Sequence, residues 1–433
     1  MSDLVPDCAF ALYRFAGRVG APLVRVLLRR RAAAGREDPA RLGERWGRAT
    51  AARPPGPLLW IHGASVGESL SALPLIQTIL ARWPHMTVLL TTGTVSAARL
   101  LADRLPDGVI HQYAPVDLTP AVARFLDHWK PSVGILIESE LWPELLTRAS
   151  ALSVTLILVN GRISPRSATW WRRARPLIGR LLRHFSLVLA QSPRDATRLR
   201  ELGAPAPLYV GNLKFTAPAL DADANDLADF TNALHGRPCW LAGSTHPDEE
   251  LSAARAHIAL TRCFPGLLTL IAPRHPERAA DIVAALKAQG LNVARRSEGQ
   301  MPGPEDEIYV ADVLGEMGLW YRLADVVFIG GSLTQKGGHN LLEPARLGCA
   351  LVTGPHCENF AHIAEEMTAH GALCRVRDDA ELVERVGALL GDPEARGKLG
   401  GAAESYALAQ ADTLDKIMEA LRPHLDRGAR GGA

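Results

Sequence analysis

Cysteine is scarce in this chain of 433 residues, and its six cysteines are unpaired in sequence. Cys8, Cys239, Cys263, Cys349, Cys357 and Cys374 form no C-x-x-C pair and have no histidine at zinc-ligand spacing. A structural zinc module is therefore not expected, and the thiols suit a reducing compartment. No D-x-D pair at the end of an expected strand and no histidine cluster marks a catalytic metal, so neither a metal nor another cofactor is expected. A net charge of only +2 leaves no broadly basic surface for nucleic acid. The glycine-rich stretches fit neither G-x-G-x-x-G nor the Walker phosphate loop, which argues against a dinucleotide fold and a P-loop ATPase. No internal repeat is evident, and low complexity is confined to the proline-rich Arg53–Pro57 and the Gly/Arg tail after Leu425.

With 47% hydrophobic residues, the chain can build two or three packed domains of about 150 residues each. The most informative stretch runs from Ala324 to Pro355 and reads as strand, glycine-rich loop, helix and next strand. Asp325–Ile329 is short and β-branched, as a buried parallel strand should be, and Gly330-Gly331-Ser332 follows at its end. Gly337 and Gly338 admit close approach of backbone to a ligand, and Asn340 is a cap for a helix through Leu341, Leu342, Glu343, Ala345 and Arg346. Free N–H groups at such a helix start favour a phosphate, while Glu343 is placed to accept hydrogen bonds from sugar hydroxyls. A nucleotide-sugar is the natural guest; an ordinary βα loop with packing glycines is the alternative.

No segment offers the ~20 apolar residues that a spanning helix needs. Ala9 to Leu28 comes nearest, but Arg14, Arg18 and Arg25 interrupt it and Arg29, Arg30 and Arg31 close it. At helical pitch Arg14, Arg18, Arg25 and Arg29 fall within one narrow arc, leaving Phe10, Leu12, Val19, Leu23, Val26 and Leu27 for other faces. This pattern is that of a helix lying in a membrane interface, its basic face toward anionic cytoplasmic-leaflet lipids. Arginines within the apolar stretch and the lack of a small-residue cleavage site argue against a secretory signal. A second tract, Arg162 to Phe185, sets Trp170 and Trp171 beside Arg166, Arg172 and Arg173 with no acid among them, suited to a lipid headgroup boundary or a phosphorylated acceptor. Both tracts could instead be amphipathic helices packed on their own domain.

Strand-like runs recur with helical segments between them: Leu58–His62, Thr87–Thr92, Val133–Glu138, Thr155–Asn160 and Leu187–Gln191, then Cys239–Gly243, Leu267–Ala272, Asn292–Ala294, Ile308–Val310, Val326–Ile329 and Ala350–Thr353. This alternation implies two parallel sheets covered by helices. Two such halves joined near residues 215 to 230 are expected to face a central cleft, where α/β ligands collect. The expected divisions are an anchor and lead-in over 1–50, a first α/β domain over 51–215, a linker over 216–229, a second α/β domain over 230–400, and a helix over 401–433 that crosses back before a flexible tail.

Candidate chemistry sits where strands end. In His62-Gly63-Ala64-Ser65-Val66-Gly67-Glu68, Glu68 stands at a helix start where it can take a proton from an acceptor hydroxyl, or cap the helix with Ser65, or both. Glu138 and Glu140 follow another buried strand beside Trp142, and two acids there are costly to bury unless used or paired. In the second half Ser244, Thr245 and Arg274 can bind phosphate or carboxylate oxygens, whereas His246 and His275 read as structural imidazoles. Gly315-Glu316-Met317-Gly318 fits a loop whose backbone reads a base edge.

Taken together, HGASVGE, ESELWP, NGRIS, QSPRD, VGNLKF, AGSTH, APRHPER, GEMGLWY and GGSLTQKGGHNLLEPA resemble the 3-deoxy-D-manno-octulosonic acid (Kdo) transferase family of lipopolysaccharide biosynthesis, in the family's order, to about Pro355. The resemblance implies a GT-B architecture of two Rossmann-like, doubly wound domains. It also implies metal-independent, inverting transfer from CMP-Kdo to the 6'-hydroxyl of the lipid A precursor, at the cytoplasmic face of the inner membrane. By motif, it makes Glu68 the proton acceptor and Glu138 and Lys214 the groups that stabilise the transition state. Pro273, Arg274, Gly315, Glu316, Met317, Asn340, Leu341, Leu342 and Glu343 become CMP contacts, joined by Ser244, Thr245 and Gly331 from the reading of the loops. The N-terminal segment is more arginine-rich than the family leads one to expect. Two other readings fit parts of the pattern: a sugar-nucleotide 2-epimerase on the same fold, which needs no lipid site, and a non-catalytic nucleotide-binding protein of the membrane surface.

Overall fold

A computed structural model describes residues 4–102, 104–216 and 219–430; residues 1–3, 217–218 of the expected linker and the end of the tail lie outside them. The chain forms two compact units, Met1–Ala217 with Asp412–Ala433, and Pro218–Ala411.

The first unit is built on six parallel strands: β1 (Leu58–His62), β2 (Thr87–Thr92), β3 (Val109–Tyr113), β4 (Val133–Ile137), β5 (Thr155–Gly161) and β6 (Phe185–Ala190), in spatial order β3-β2-β1-β4-β5-β6. Every residue of β1 and β4 is buried, as expected of strands covered on both faces. Gly134 of β4 makes room for the Trp60 ring: a Cβ there would stand 2.9 Å from it. The Trp60 indole in turn donates to Thr91 Oγ1 on β2 at 2.8 Å, tying three neighbouring strands together. Strand order reverses between β1 and β4, and such a switch point opens a crevice at the strands' carboxyl ends.

The second unit carries β7 (Cys239–Thr245), β8 (Leu268–Pro273), β9 (Val293–Arg295), β10 (Ile308–Val310), β11 (Val326–Ile329), β12 (Ala350–Thr353) and β13 (Cys374–Arg375). They pair in parallel in the order β13-β12-β11-β7-β8-β10-β9, so the switch point here lies between β7 and β11. Both units are thus Rossmann-like parallel-sheet α/β folds. Strands β3 and β13 are additions to those expected from sequence. The Asp-rich stretch expected as linker forms helix Ala224–Leu234 of the second unit, capped by Asp223. Residues 401–411 also stay with the second unit, and the return to the first begins at Asp412.

The returning helix Thr413–Arg430 buries Ile417, Met418, Leu421 and Leu425 against β1 and β4 residues such as Leu59, Ile61 and Ile135. Trp83 Nε1 donates to Asp426 Oδ1 at 3.0 Å and fixes its far end.

The N-terminal helix Leu4–Ala33 is no separate domain but packs on the first unit, and its orientation corrects the sequence reading. Arg14 pairs with Glu144 at 2.6 Å, Arg25 lies over the Trp46 ring at 5.4 Å, and Phe10 and Leu28 are buried. Two of the arginines expected to face lipid, Arg14 and Arg25, therefore turn toward protein, while Arg18 and Arg29 are exposed. Leu12, Phe15, Val19, Leu23 and Val26 recur at helical spacing and are exposed, Leu23 to 75%. Among the described residues, no helix is long and apolar enough to cross a membrane.

Because Leu421 is fully buried on the sheet that carries the first unit's crevice, Leu421→Ala should destabilise that unit by about 2–5 kcal/mol. Denaturant unfolding followed in the N-terminal unit should show the loss; an unchanged midpoint would remove this helix from the core.

Candidate functional site

In the first unit, three acids converge on the β1/β4 switch point. After β1, Ser65 caps helix Val66–Arg82 and forms a reciprocal box with Glu68. Ser65 Oγ accepts the Glu68 N–H at 3.4 Å and donates to Glu68 Oε1 at 2.8 Å, while the Ala64 N–H donates to Oε2 at 2.7 Å. The cap fixes the carboxylate at the rim rather than letting it swing into solvent. Gly67 beside it is exposed, with nothing within 4 Å of where a Cβ would stand, so the adjoining surface is bare.

Glu138 follows β4 with φ +64°, a left-handed turn that an L residue adopts only when held there. Lys214 Nζ stands 3.1 Å from Glu138 Oε1, and Gln191 Nε2 donates to the same oxygen at 3.4 Å. Lys214 is itself positioned by two asparagines: Asn160 Oδ1 accepts the Leu213 N–H and Asn212 Oδ1 accepts the Lys214 N–H, both at 3.0 Å. Glu140 accepts from the Trp142 indole and meets His62 Nε2 at 3.2 Å, while His62 Nδ1 contacts Thr91 Oγ1 at 2.9 Å.

These surroundings push two of the acids in opposite directions. Burial raises the Glu68 carboxyl above the usual glutamate value, the charges of Glu138 and Glu140 raise it further, and the bonds from Ser65 and Ala64 offset part of this. Burial would raise Glu140 as well, but the hydrogen bond and charge of His62 and the bond from Trp142 outweigh it and leave Glu140 below the usual value. A raised acid beside a lowered one gives the two carboxylates different capacities, one to take up a proton and one to stay charged.

A cavity of about 310 Å³ opens beside Glu138, lined by Ser139, Leu141, Arg162, Ser164 and Trp171. Of the expected Trp/Arg contacts, Trp171 lines this cavity. Trp170 is exposed, as are Arg166 and Arg173, and Arg172 pairs with Glu201 at 2.9 Å. The tract is two helices, Pro165–Arg173 and Arg175–Leu182, and an acid from a neighbouring helix partly balances it.

In the second unit, the glycine-rich turn after β11 already holds an anion of the protein's own. Glu249 accepts the backbone N–H groups of His246 (2.9 Å), Gly331 (2.6 Å), Ser332 (3.0 Å) and Leu333 (3.0 Å). The amide of Gly331, expected to meet the donor, is therefore engaged. Thr245 is also withdrawn, being buried with its hydroxyl donating to Glu250 Oε1 at 3.1 Å. Gly337 and Gly338 serve packing, since a Cβ on either would meet Asn359 at 2.6 Å or His356 O at 3.1 Å.

The helix expected from Asn340 spans only Leu342–Ala345. Asn340 Oδ1 accepts the Leu342 N–H at 3.1 Å, and its Nδ2 donates to Glu343 Oε1 at 3.0 Å. Leu341 and Leu342 are buried. Burial raises Glu343, with the Asn340 bond and the charges of Arg274 and Arg346 pulling it back. Pro273 ends β8 buried, and Arg274 after it is exposed, its guanidinium in no ion pair among the described residues. Ser244 adopts φ +56° at the end of β7, and Gly315 adopts φ +94° ahead of Glu316, which starts helix Met317–Leu323. The Glu316 carboxylate pairs with Arg296 at 2.9 Å. Among the described residues no group of three or more His, Cys, Asp or Glu is arranged to hold a metal ion.

Residues 40–217 match the family described as 3-deoxy-D-manno-octulosonic-acid transferase (kdotransferase). The chain is 36% identical to the 3-deoxy-D-manno-octulosonic acid transferase of Bordetella pertussis over 96% of this chain and 99% of that protein. It is 33% identical to the enzyme of the same name from Haemophilus influenzae, over 89% and 92%. The chain belongs to the Kdo transferase family. It is accordingly a glycosyltransferase, and its reaction is the transfer of Kdo. The UDP-GlcNAc 2-epimerase of Neisseria meningitidis, solved with UDP-GlcNAc, shares the fold of this Kdo transferase with a TM-score of 0.57, covering 84% of this chain and 99% of that one, at 12% identity.

His62, Asn160, Gln191 and Glu249 were not among the expected site residues; only the strand-end position of the first three signals them. Glu249→Ala would strand four backbone donors and should destabilise the second unit by at least about 3 kcal/mol. A thermal melt with an unshifted second-unit transition would contradict that role.

Proposed function

We propose that this Kdo transferase takes Kdo from CMP-Kdo and attaches it to the 6'-hydroxyl of the lipid A precursor, without a metal, at the cytoplasmic face of the inner membrane. The observation that carries the reading is Glu68, a half-buried carboxylate fixed at the β1/β4 switch point with its proton affinity raised. The acceptor hydroxyl attacks the anomeric carbon of Kdo as the bond to the CMP phosphate breaks, and the hydroxyl proton passes to Glu68. Glu138 and Lys214, paired at 3.1 Å, supply complementary charge to the oxocarbenium-like state and the departing phosphate. Attack opposite the leaving group inverts the anomeric centre.

The second unit supplies the donor contacts: Arg274 for phosphate, the backbone of Gly315, Glu316 and Met317 for the base, Asn340 and Glu343 for the sugar hydroxyls, and Ser244 beside them. Thr245 and the Gly331 amide act indirectly, through Glu250 and Glu249. The cavity beside Glu138, with Arg162 and Trp171 in its wall, suits part of an anionic glycolipid.

Membrane attachment is supported by the outward stripe of Leu12, Phe15, Val19, Leu23 and Val26. Phe15→Glu with Leu23→Glu should move the protein from the pellet to the supernatant with anionic vesicles, while turnover of detergent-dispersed acceptor persists. Undiminished sedimentation would reject this face as the anchor.

Glu68→Gln should lower kcat at least about a hundredfold with CMP affinity unchanged; near-normal turnover would reject the base assignment. The base must be deprotonated, so with a raised Glu68 the activity rises with pH above the usual glutamate range. Glu140→Gln removes a charge that favours the protonated form, and the acid limb of kcat/KM should move to lower pH. A limb that stays put would detach it from Glu68.

A further inference from the structure

Three imidazoles and two longer cations gather around the glycine turn of the second unit. His246 Nε2 stands 2.9 Å from His339 Nε2, with the rings parallel within 5° and their centroids 5.1 Å apart. The His275 ring meets His246 edge-on at 5.7 Å. Arg274, after β8, acts on both rings of the pair, and Lys336, after β11, acts on His246. The acids nearby are already committed. Glu249 faces His246 but takes four backbone N–H groups, Glu277 pairs with His275 at 3.4 Å, and Glu343 accepts from Asn340.

Two N–H groups cannot point at each other across 2.9 Å, so the contact holds one proton. With both rings neutral, one Nδ1 carries a hydrogen and the other presents a lone pair. One added proton converts the two Nδ1 atoms into two donors and keeps the Nε2–H···Nε2 bond intact. Neither Nδ1 has a protein partner among the described residues. Burial and the surrounding cations hold both imidazoles below the usual histidine value, His339 down to about 4, so the pair rests neutral near pH 7. An oxyanion placed against it reverses that balance.

We propose that His246 and His339 form a proton-coupled receptor for an oxyanion of the donor, taking one proton from solvent as a phosphate or carboxylate binds and returning it as the anion leaves. This rests on the reading that the second unit holds the CMP-sugar. It adds a device that matches positive charge to the substrate only while the substrate is present, instead of maintaining five cations against one another in the free protein.

Calorimetric titration of the full chain at pH 7, in two buffers of different ionisation enthalpy, counts the protons exchanged. CMP tests the phosphate and free Kdo the carboxylate, with cytidine as the uncharged control. A cationic site can only drive a proton off the CMP phosphate, so uptake reports the protein. We expect uptake of roughly half to one proton with CMP or with Kdo, and none with cytidine. His339→Gln and His246→Asn should each abolish that uptake and weaken the anion by about tenfold or more. Uptake with CMP assigns the phosphate, and uptake with Kdo alone assigns the carboxylate. CMP binding with no uptake from either anion overturns the receptor and leaves the donor reading intact; absence of CMP binding overturns both.

Discussion

The partial withdrawal of one carboxylate from water governs the first unit. Glu68 belongs to a helix cap, and that cap holds it at the end of a fully buried strand, where hydration is poor and two other acids stand close. A carboxylate in such a place binds a proton more readily than in water. The neighbouring acids have partners of their own: Lys214 Nζ stands 3.1 Å from Glu138, and His62 with the Trp142 indole holds Glu140 below the usual glutamate value. Of the two acids pushed in opposite directions, Glu68 is thereby made the more basic, with no unusual backbone at Glu68 itself. The returning helix Thr413–Arg430 shares a core with the helix that carries Glu68, packing beside it on the strands whose ends carry these groups.

The second unit solves a different problem with the same fold. Its switch point between β7 and β11 presents the backbone amides that commonly hold phosphate, but Glu249 occupies them. In the receptor proposed above, anion recognition falls to side chains around that turn, which can vary their charge in a way that backbone amides cannot. The internal carboxylate also makes the glycine turn rigid, since the contact joins β7, the following helix and the end of β11.

Much of this was legible in sequence where the cause is local. The buried parallel strands announce themselves because both faces are covered and apolar residues run unbroken, as in Val326–Ile329. The Ser65/Glu68 box is read from a spacing of three residues. Strand β3 escaped because it carries His111 and Gln112, polar groups made tolerable by Arg41 and Trp129 from elsewhere in the chain. Glu249 escaped for a similar reason, three of its four amide partners lying more than 80 residues away. For the N-terminal helix the arginine arc was visible, but its direction was not, because Glu144 and Trp46 decide which face turns inward.

Glu68 holds its proton more tightly than an ordinary glutamate because of where the fold places it. Carbon-detected NMR of the full chain, with the Glu68 carboxyl assigned by its loss in a Glu68→Gln spectrum, measures this directly. The expected titration midpoint lies above the ordinary value of 4.5. A midpoint at or below that value would contradict it.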